Sequence, residues 1–253
     1  MLEYTKDAAG NSADREDRLL LVVDSEPDHL FYTSTLLNRL SYKTLTATSA
    51  AEALDITTHI VPSLIIASTS LRDMDGIELI RQFKKNPFLV NVPLIALRKQ
   101  SDLDGERLSL DLGAVDCLYH PVEAEILFRV VQVVIEKSPR TYMRIRTLQP
   151  VKMNKKLPAD FEHACALDLS EHGMFLQTPE PAGKNARVSL EIDLNGRIIS
   201  VEAVVAYSNM TPGGPYQQTG MGLEFVRIKL RDQEYIREFI RTKITRGIVP
   251  GNA

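Results

Sequence analysis

From residue 18 to residue 137 the chain alternates short continuous apolar runs with stretches of helical spacing. Leu19-Leu-Leu-Val-Val23 is apolar throughout and stops at Asp24, the pattern of a strand buried on both faces of a parallel sheet. Pro27 suits the first turn of a helix reaching to about Leu40. A strand near Lys43–Ala47 follows, then a helix opened by Ser49 with Glu52 three residues on, a capping box. The alternation continues with strands over 64–67, 93–97 and 115–119 and helices over 76–83, 103–112 and 122–135. Five strand–helix pairs predict a doubly wound α/β domain with a parallel five-stranded sheet. Ligands of such sheets sit at the carboxyl ends of the strands, here Asp24, Ser68, Arg98 and His120.

After Ser138-Pro139 the period changes. Val188, Leu190, Ile192 and Leu194 alternate with polar residues, a strand with one wet face. Asn195-Gly196 is a strong hairpin signal and leads into a partner strand over 198–207. Met221–Phe225 reads as another strand, behind a Pro/Gly loop over 211–219. Ile236, Phe239, Ile240 and Ile244 share one helical face, predicting a closing amphipathic helix. The expected architecture is therefore a small antiparallel β-barrel with a C-terminal helix. Residues 1–17 are polar and are expected to form a flexible tail.

Composition sharpens this division. Hydrophobic content of 44% and charged content of 25% suit globular domains, and 253 residues suit two of them. The net charge of −3 combines −7 over residues 1–137 with +4 over 138–253. That positive excess suits a small anionic ligand but is thin for a nucleic-acid binder. Cys117 and Cys165 are expected as buried thiols in a reducing compartment. No signal peptide and no apolar run near the ~20 residues of a membrane span is visible, so a cytoplasmic protein is expected.

Two short pieces carry candidate chemistry. Arg140 and Arg144 lie four apart, and guanidiniums bind phosphate two-pronged and stack on bases. Asp168 and Ser170 lie two apart at a strand end, so both side chains are expected on one face, followed by Gly173. A carboxylate and a hydroxyl beside two arginines suggest a nucleotide site. Arg146 blurs which arginine pair matters, and Asp and Ser often shape turns on their own. Tyr207 and Tyr216 suit either a pocket lining or barrel surface. His163 and His172 lack partners at metal spacing, and His172 reads as a lone surface histidine. No metal site and no enzyme are expected.

Residues 18–137 resemble the response-regulator receiver fold, through Val-Val-Asp24-Ser-Glu-Pro27, Pro62–Ser68, Asp73-Met-Asp-Gly76, Val92–Leu97 and Gly113–Pro121. The resemblance implies an acidic pair for magnesium, a phosphoacceptor aspartate, a Ser/Thr and a Lys. This chain keeps Asp24 but has Ser25 beside it, Ser68 for the acceptor, Arg98 for the Ser/Thr and His120 for the Lys. A degenerate, non-phosphorylatable pseudo-receiver is expected, with Arg98 paired to Asp24 in the vacated metal position. Residues 138–245 resemble the PilZ domain, whose pattern R-x-x-x-R, then D/N-x-S-x-x-G, is met by Arg140, Arg144, Asp168, Ser170 and Gly173. That resemblance implies a six-stranded barrel binding cyclic di-GMP. The arginines would clasp phosphates and stack on guanine, Asp168 and Ser170 would read the guanine, and Gly173 would let the turn adopt positive φ and bring backbone close to the ligand.

The organisation expected is thus a tail over 1–17, a pseudo-receiver over 18–137, a linker arm over 138–146, and the PilZ barrel and helix over 147–253. The function expected is a bacterial-type signalling receptor in which cyclic di-GMP rearranges the domains or an unidentified protein partner, without DNA or membrane insertion. A homodimer through the apolar faces of 122–135 and packed core there are both compatible with the pattern. The alternative is a ligand-independent adaptor with both domains degenerate.

Overall fold

The computed structural model describes residues 18–102, 104–137, 139–154, 161–210 and 218–248. They form two compact units divided between Arg140 and Thr141. The expectations for residues 1–17 and for Tyr216 fall outside the described residues.

The first unit is a five-stranded parallel sheet in the order β2-β1-β3-β4-β5. Its strands are β1 (Leu19–Val23), β2 (Lys43–Ala47), β3 (Leu64–Ser68), β4 (Leu94–Arg98) and β5 (Asp116–Tyr119). The helices between and after them are α1 (Pro27–Arg39), α2 (Ala50–His59), α3 (Gly76–Lys85), α4 (Gly105–Asp111) and α5 (Ala124–Ile135). Every residue of β3 and β4 is buried, which is why their sequences are apolar without alternation. The sheet's core runs through Leu21, Val23, Ile65, Ala67, Leu94 and Ala96 to Ile80 and Phe83 of α3.

Local chemistry fixes the helix starts. Pro27 occupies the first turn of α1, as expected. At α2, Ser49 Oγ accepts the Glu52 N–H at 3.1 Å, one half of the capping box. The reciprocal half goes one residue further back: the Glu52 carboxylate accepts the Thr48 N–H at 2.7 Å. Asp73, from the loop after β3, accepts the N–H groups of Ala50 and Ala51, both at 3.0 Å. Those bonds favour the ionised form and hold the Asp73 carboxyl below its ordinary value of 3.8. Cys117 and Cys165 are half-buried rather than buried, because each lies in a strand with one partly open side.

In α5 the apolar residues divide between two faces. Ala124, Leu127, Phe128 and Val131 are buried, the packed-core reading for that face, whereas Val133 remains 68% exposed.

The second unit is a closed barrel in the order β10-β11-β8-β7-β6-β9. Its strands are β6 (Ile145–Asn154), β7 (Phe161–Ser170), β8 (Gly173–Gln177), β9 (Arg187–Leu194), β10 (Arg197–Asn209) and β11 (Gly220–Arg227), followed by α6 (Leu230–Thr245). The alternation read in β9 holds: Leu190, Ile192 and Leu194 are buried while Arg187, Ser189 and Glu191 are exposed. At the β9–β10 hairpin Asn195 and Gly196 have φ of 57° and 85°, the left-handed pair that a two-residue turn requires. Thr147 and Leu148 together face the single Leu167 in a bulge between β6 and β7. Ile236, Phe239, Ile240 and Ile244 are the buried apolar face of α6.

Candidate functional site

The Asp168-x-Ser170-x-x-Gly173 motif lies at the turn between β7 and β8. Asp168 and Ser170 end β7, Gly173 opens β8, and both polar side chains are buried. The Ser170 hydroxyl donates to the Gly173 carbonyl at 3.0 Å, which closes the turn on itself. Asp168 stands opposite Arg146 in the β6–β7 ladder and opposite Phe175 in the β7–β8 ladder. Arg146 therefore belongs to the first barrel strand, one residue into β6, rather than to the arm.

Gly173 is required for a different reason from the one expected. It is not among the positive-φ glycines. Instead, a Cβ at Gly173 would lie 2.2 Å from the Leu223 carbonyl oxygen of the neighbouring β11, closer than any real contact. The glycine allows two barrel strands to approach, not a left-handed turn.

The two residues inside the turn are held by α6. Glu171 pairs with Arg237 at 2.6 Å, and Gln233 lies 3.4 Å from the Glu171 carbonyl and within 3.3 Å of both His172 ring nitrogens. The His172 carbonyl accepts the Phe225 N–H at 2.8 Å. His172 is thus not a lone surface histidine. On its ring lies Tyr142, with centroids 3.8 Å apart and planes at 34°. Tyr142 sits midway between Arg140 and Arg144, so the arm segment is already stacked on the motif's turn. No spacing rule links Tyr142 to His172, and the contact is not readable from sequence.

The two arginines of the arm are each half-buried. The division between the compact units passes between them. The Arg140 N–H donates to Gln132 Oε1 of α5 at 2.8 Å, whereas Arg144 directly precedes β6. Tyr207 is placed by packing, with its ring 6.3 Å from that of Phe175 and against Gly222, where a Cβ would meet the ring at 2.1 Å.

At the carboxyl end of the parallel sheet, Asp24, Ser25, Ser68, Arg98 and His120 are all buried. They do not form one pocket of mutual contacts. Ser25 Oγ accepts the Arg72 N–H at 3.1 Å and so fastens the loop after β3. The Ser68 hydroxyl donates to the Ser70 carbonyl at 3.2 Å.

Arg98 does not pair with Asp24. Its guanidinium donates to Glu106 Oε2 at 2.6 Å, to the Asp102 carbonyl at 2.9 Å and to the Tyr119 hydroxyl. A carboxylate on α4 and a ring on β5 engage one terminal nitrogen of the cation, away from β1. Asp24 instead lies beside histidines. Its Oδ2 is 3.6 Å from His29 Nδ1, and the His29 and His120 rings stack at 3.6 Å. Burial pushes the Asp24 carboxyl up, against the Glu26 N–H and the His29 charge. Burial and the His29 charge push His120 down to about 4. The sequence reading passed over His29, although its place five residues after Asp24, in the first turns of α1, was visible.

Known proteins divide the chain in the same way. A family model of the response regulator receiver domain matches residues 20–132, and one of the PilZ domain matches residues 137–242. The chain is 33% identical over 108 residues to a "Probable cyclic di-GMP phosphodiesterase" of Vibrio cholerae, 43% of this chain and 24% of that protein. It is 26% identical over 121 residues to the phosphate regulon transcriptional regulatory protein PhoB of Pseudomonas aeruginosa, 48% of this chain and 53% of that protein. The chain thus spans about a quarter of the first relative and about half of the second. Among solved structures, the receiver domain of NtrX from Brucella abortus is 26% identical, covering 47% of this chain and 99% of that one with a TM-score of 0.44.

Fold and site together define a two-domain signalling protein. The chain belongs to the response regulator receiver family over residues 20–132 and to the PilZ family over residues 137–242. PilZ domains are in general receptors for cyclic di-GMP, and neither family is enzymatic. No described helix is long and apolar enough to cross a membrane.

Proposed function

We propose that the protein is a receptor for cyclic di-GMP, with Arg140, Arg144, Asp168, Ser170 and Gly173 as its ligand-binding residues. The observation that carries this reading is the β7–β8 turn, where Asp168, Ser170 and Gly173 are brought together with both polar side chains buried. A carboxylate is an acceptor of the kind that reads the N–H edge of a purine, and Asp168 places one at this turn. Arg140 and Arg144 supply the phosphate-binding charge. Ligand binding would reorganise the arm around Tyr142 and so bias the arrangement of the domains or of a protein partner, an order–disorder switch.

The receiver unit serves in this reading as a surface rather than a phosphoacceptor. A serine hydroxyl is a weak nucleophile without an adjacent base, and that of Ser68 is engaged with the Ser70 carbonyl. The protein works in the reducing cytoplasm, without DNA and without a catalysed reaction.

Calorimetric titration with cyclic di-GMP tests the site. Wild type should bind at micromolar or tighter affinity. Arg144→Ala should lose about 2–4 kcal/mol, roughly 30-fold to 1000-fold, for one desolvated phosphate contact. Absence of binding by wild type in this and a second assay would favour the ligand-independent adaptor instead.

A further inference from the structure

The strand-end cluster of the receiver unit holds donors that neither the nucleotide site nor phosphoryl chemistry uses. Asp24 follows β1, His29 lies in the first turns of α1, and His120 follows β5. All three are at least 95% buried. One ligand atom from each falls within 4.8 Å of the other two. Asp24 divides its carboxylate: Oδ1 accepts the Glu26 N–H at 2.9 Å, and Oδ2 faces His29 Nδ1 at 3.6 Å.

His120 supplies the independent sign. Neither Nδ1 nor Nε2 has a hydrogen-bond partner, although the ring is 3% exposed. Buried imidazole nitrogens are ordinarily satisfied, and an orphaned pair in a cluster of donors calls for a missing partner. The His29 backbone is the polar group that bears on the ring, and a cation held between the three side chains would fill the role.

We propose that Asp24, His29 and His120 form a binding site for a divalent first-row transition ion, Zn²⁺ being the plainest case. Two imidazoles and one carboxylate are a borderline-soft donor set that suits zinc, cobalt or iron. Magnesium, a hard cation, prefers an all-oxygen shell, and this set has a single carboxylate. Tetrahedral zinc bonds of about 2.0–2.2 Å place ligand atoms roughly 3.4 Å apart, close to the spacing of Asp24 Oδ2 and His29 Nδ1. The two imidazoles lie nearly parallel, at 20°, so their lone pairs run side by side. Rotation of the rings about their Cβ–Cγ bonds would turn one nitrogen of each towards the ion. Three protein ligands leave a fourth position for water. The ion would tie together the ends of β1 and β5 and the start of α1, independently of the second messenger.

The test uses the untagged full chain, stripped with a chelator and titrated with Co²⁺, Zn²⁺ and Mg²⁺. Wild type should take up one Co²⁺ with a visible d–d band that Zn²⁺ abolishes. Paramagnetically shifted ring signals should come from two histidines. Saturating Zn²⁺ should raise the melting temperature by several degrees, and equal Mg²⁺ should not.

His29→Gln and His120→Lys should each weaken Co²⁺ by ~100-fold or more, since even outer partners of metal ligands commonly contribute 10–100-fold. His59→Gln, at the exposed end of α2, should change nothing. Should either ligand variant fail to fold, the wild-type ring signals decide. The proposal is overturned if no ion is retained, if fewer than two rings shift, if folded His29 and His120 variants bind like wild type, or if Mg²⁺ acts like Zn²⁺.

Discussion

Each half of the molecule buries polar side chains where its family keeps its chemistry, yet the two sets are held differently. In the parallel-sheet unit, Ser25, Ser68 and Arg98 have been turned to structural work: one fastens a loop, one bonds its own turn and one pairs with α4. In the barrel, Asp168, Ser170 and Gly173 stand in sequence as the PilZ pattern has them, and α6 secures the neighbouring Glu171 and His172. Burial alone does not mark a working site. What separates the two is the origin of the hold: Ser170, like Ser68, bonds within its own turn, but the turn that carries Ser170 is also gripped by α6.

Close backbone approach is the feature the two units share, and it gives the largest expected effects. A Cβ at Gly76 would lie 2.2 Å from the Ser68 carbonyl oxygen, as one at Gly173 would from that of Leu223. Gly76→Ala and Gly173→Ala should each cost about 3 kcal/mol, the upper range for overpacking against an unyielding neighbour. Amide hydrogen exchange should find the loss in the α/β unit for the first and in the barrel for the second. Uniform loss across both units would break the comparison, because it would make them one cooperative structure.

A smaller effect tests whether Asp73, in the loop after β3 of the receiver unit, is structural. Asp73→Ala removes the carboxylate that caps Ala50 and Ala51, and should cost about 1 kcal/mol. Its pH dependence has a defined sign. The folded-state value lies below 3.8, so the stabilisation is fully present above that value and is lost as pH falls through the lowered one. Acid unfolding of the Asp73→Ala variant should therefore differ least from wild type at the lowest pH. Arg237→Ala, which frees Glu171 in the barrel, should cost only about 0.5 kcal/mol because the arginine is largely exposed. It should nonetheless loosen the turn, seen as faster exchange at His172 and Gly173.

Most of the fold was legible in sequence because its signals are local. Continuous apolar runs gave β1 and β3, Ser49 and Glu52 gave the start of α2, and Asn195-Gly196 gave the hairpin. Element ends moved by a residue or two, as with β4 beginning at Leu94 rather than 93. What escaped depends on distant partners. Arg98 pairs with Glu106 and Tyr119, and no spacing rule predicts that a cation at a strand end will choose these over Asp24. His29 meets His120 only because β1 and β5 end on the same edge of the sheet. Gly173 was expected to need a positive φ that it does not adopt, since the Leu223 carbonyl that excludes a side chain lies fifty residues on.

The most direct test of this contrast is an amide NMR titration of the full chain with cyclic di-GMP, followed by a small phosphodonor with Mg²⁺. The account predicts that the nucleotide shifts resonances of Arg144, Asp168, Ser170 and Gly173, and that the phosphodonor leaves Asp24 and Ser68 unmoved. Silence at the β7–β8 turn under saturating nucleotide, or a response at Ser68 to the phosphodonor, would contradict it.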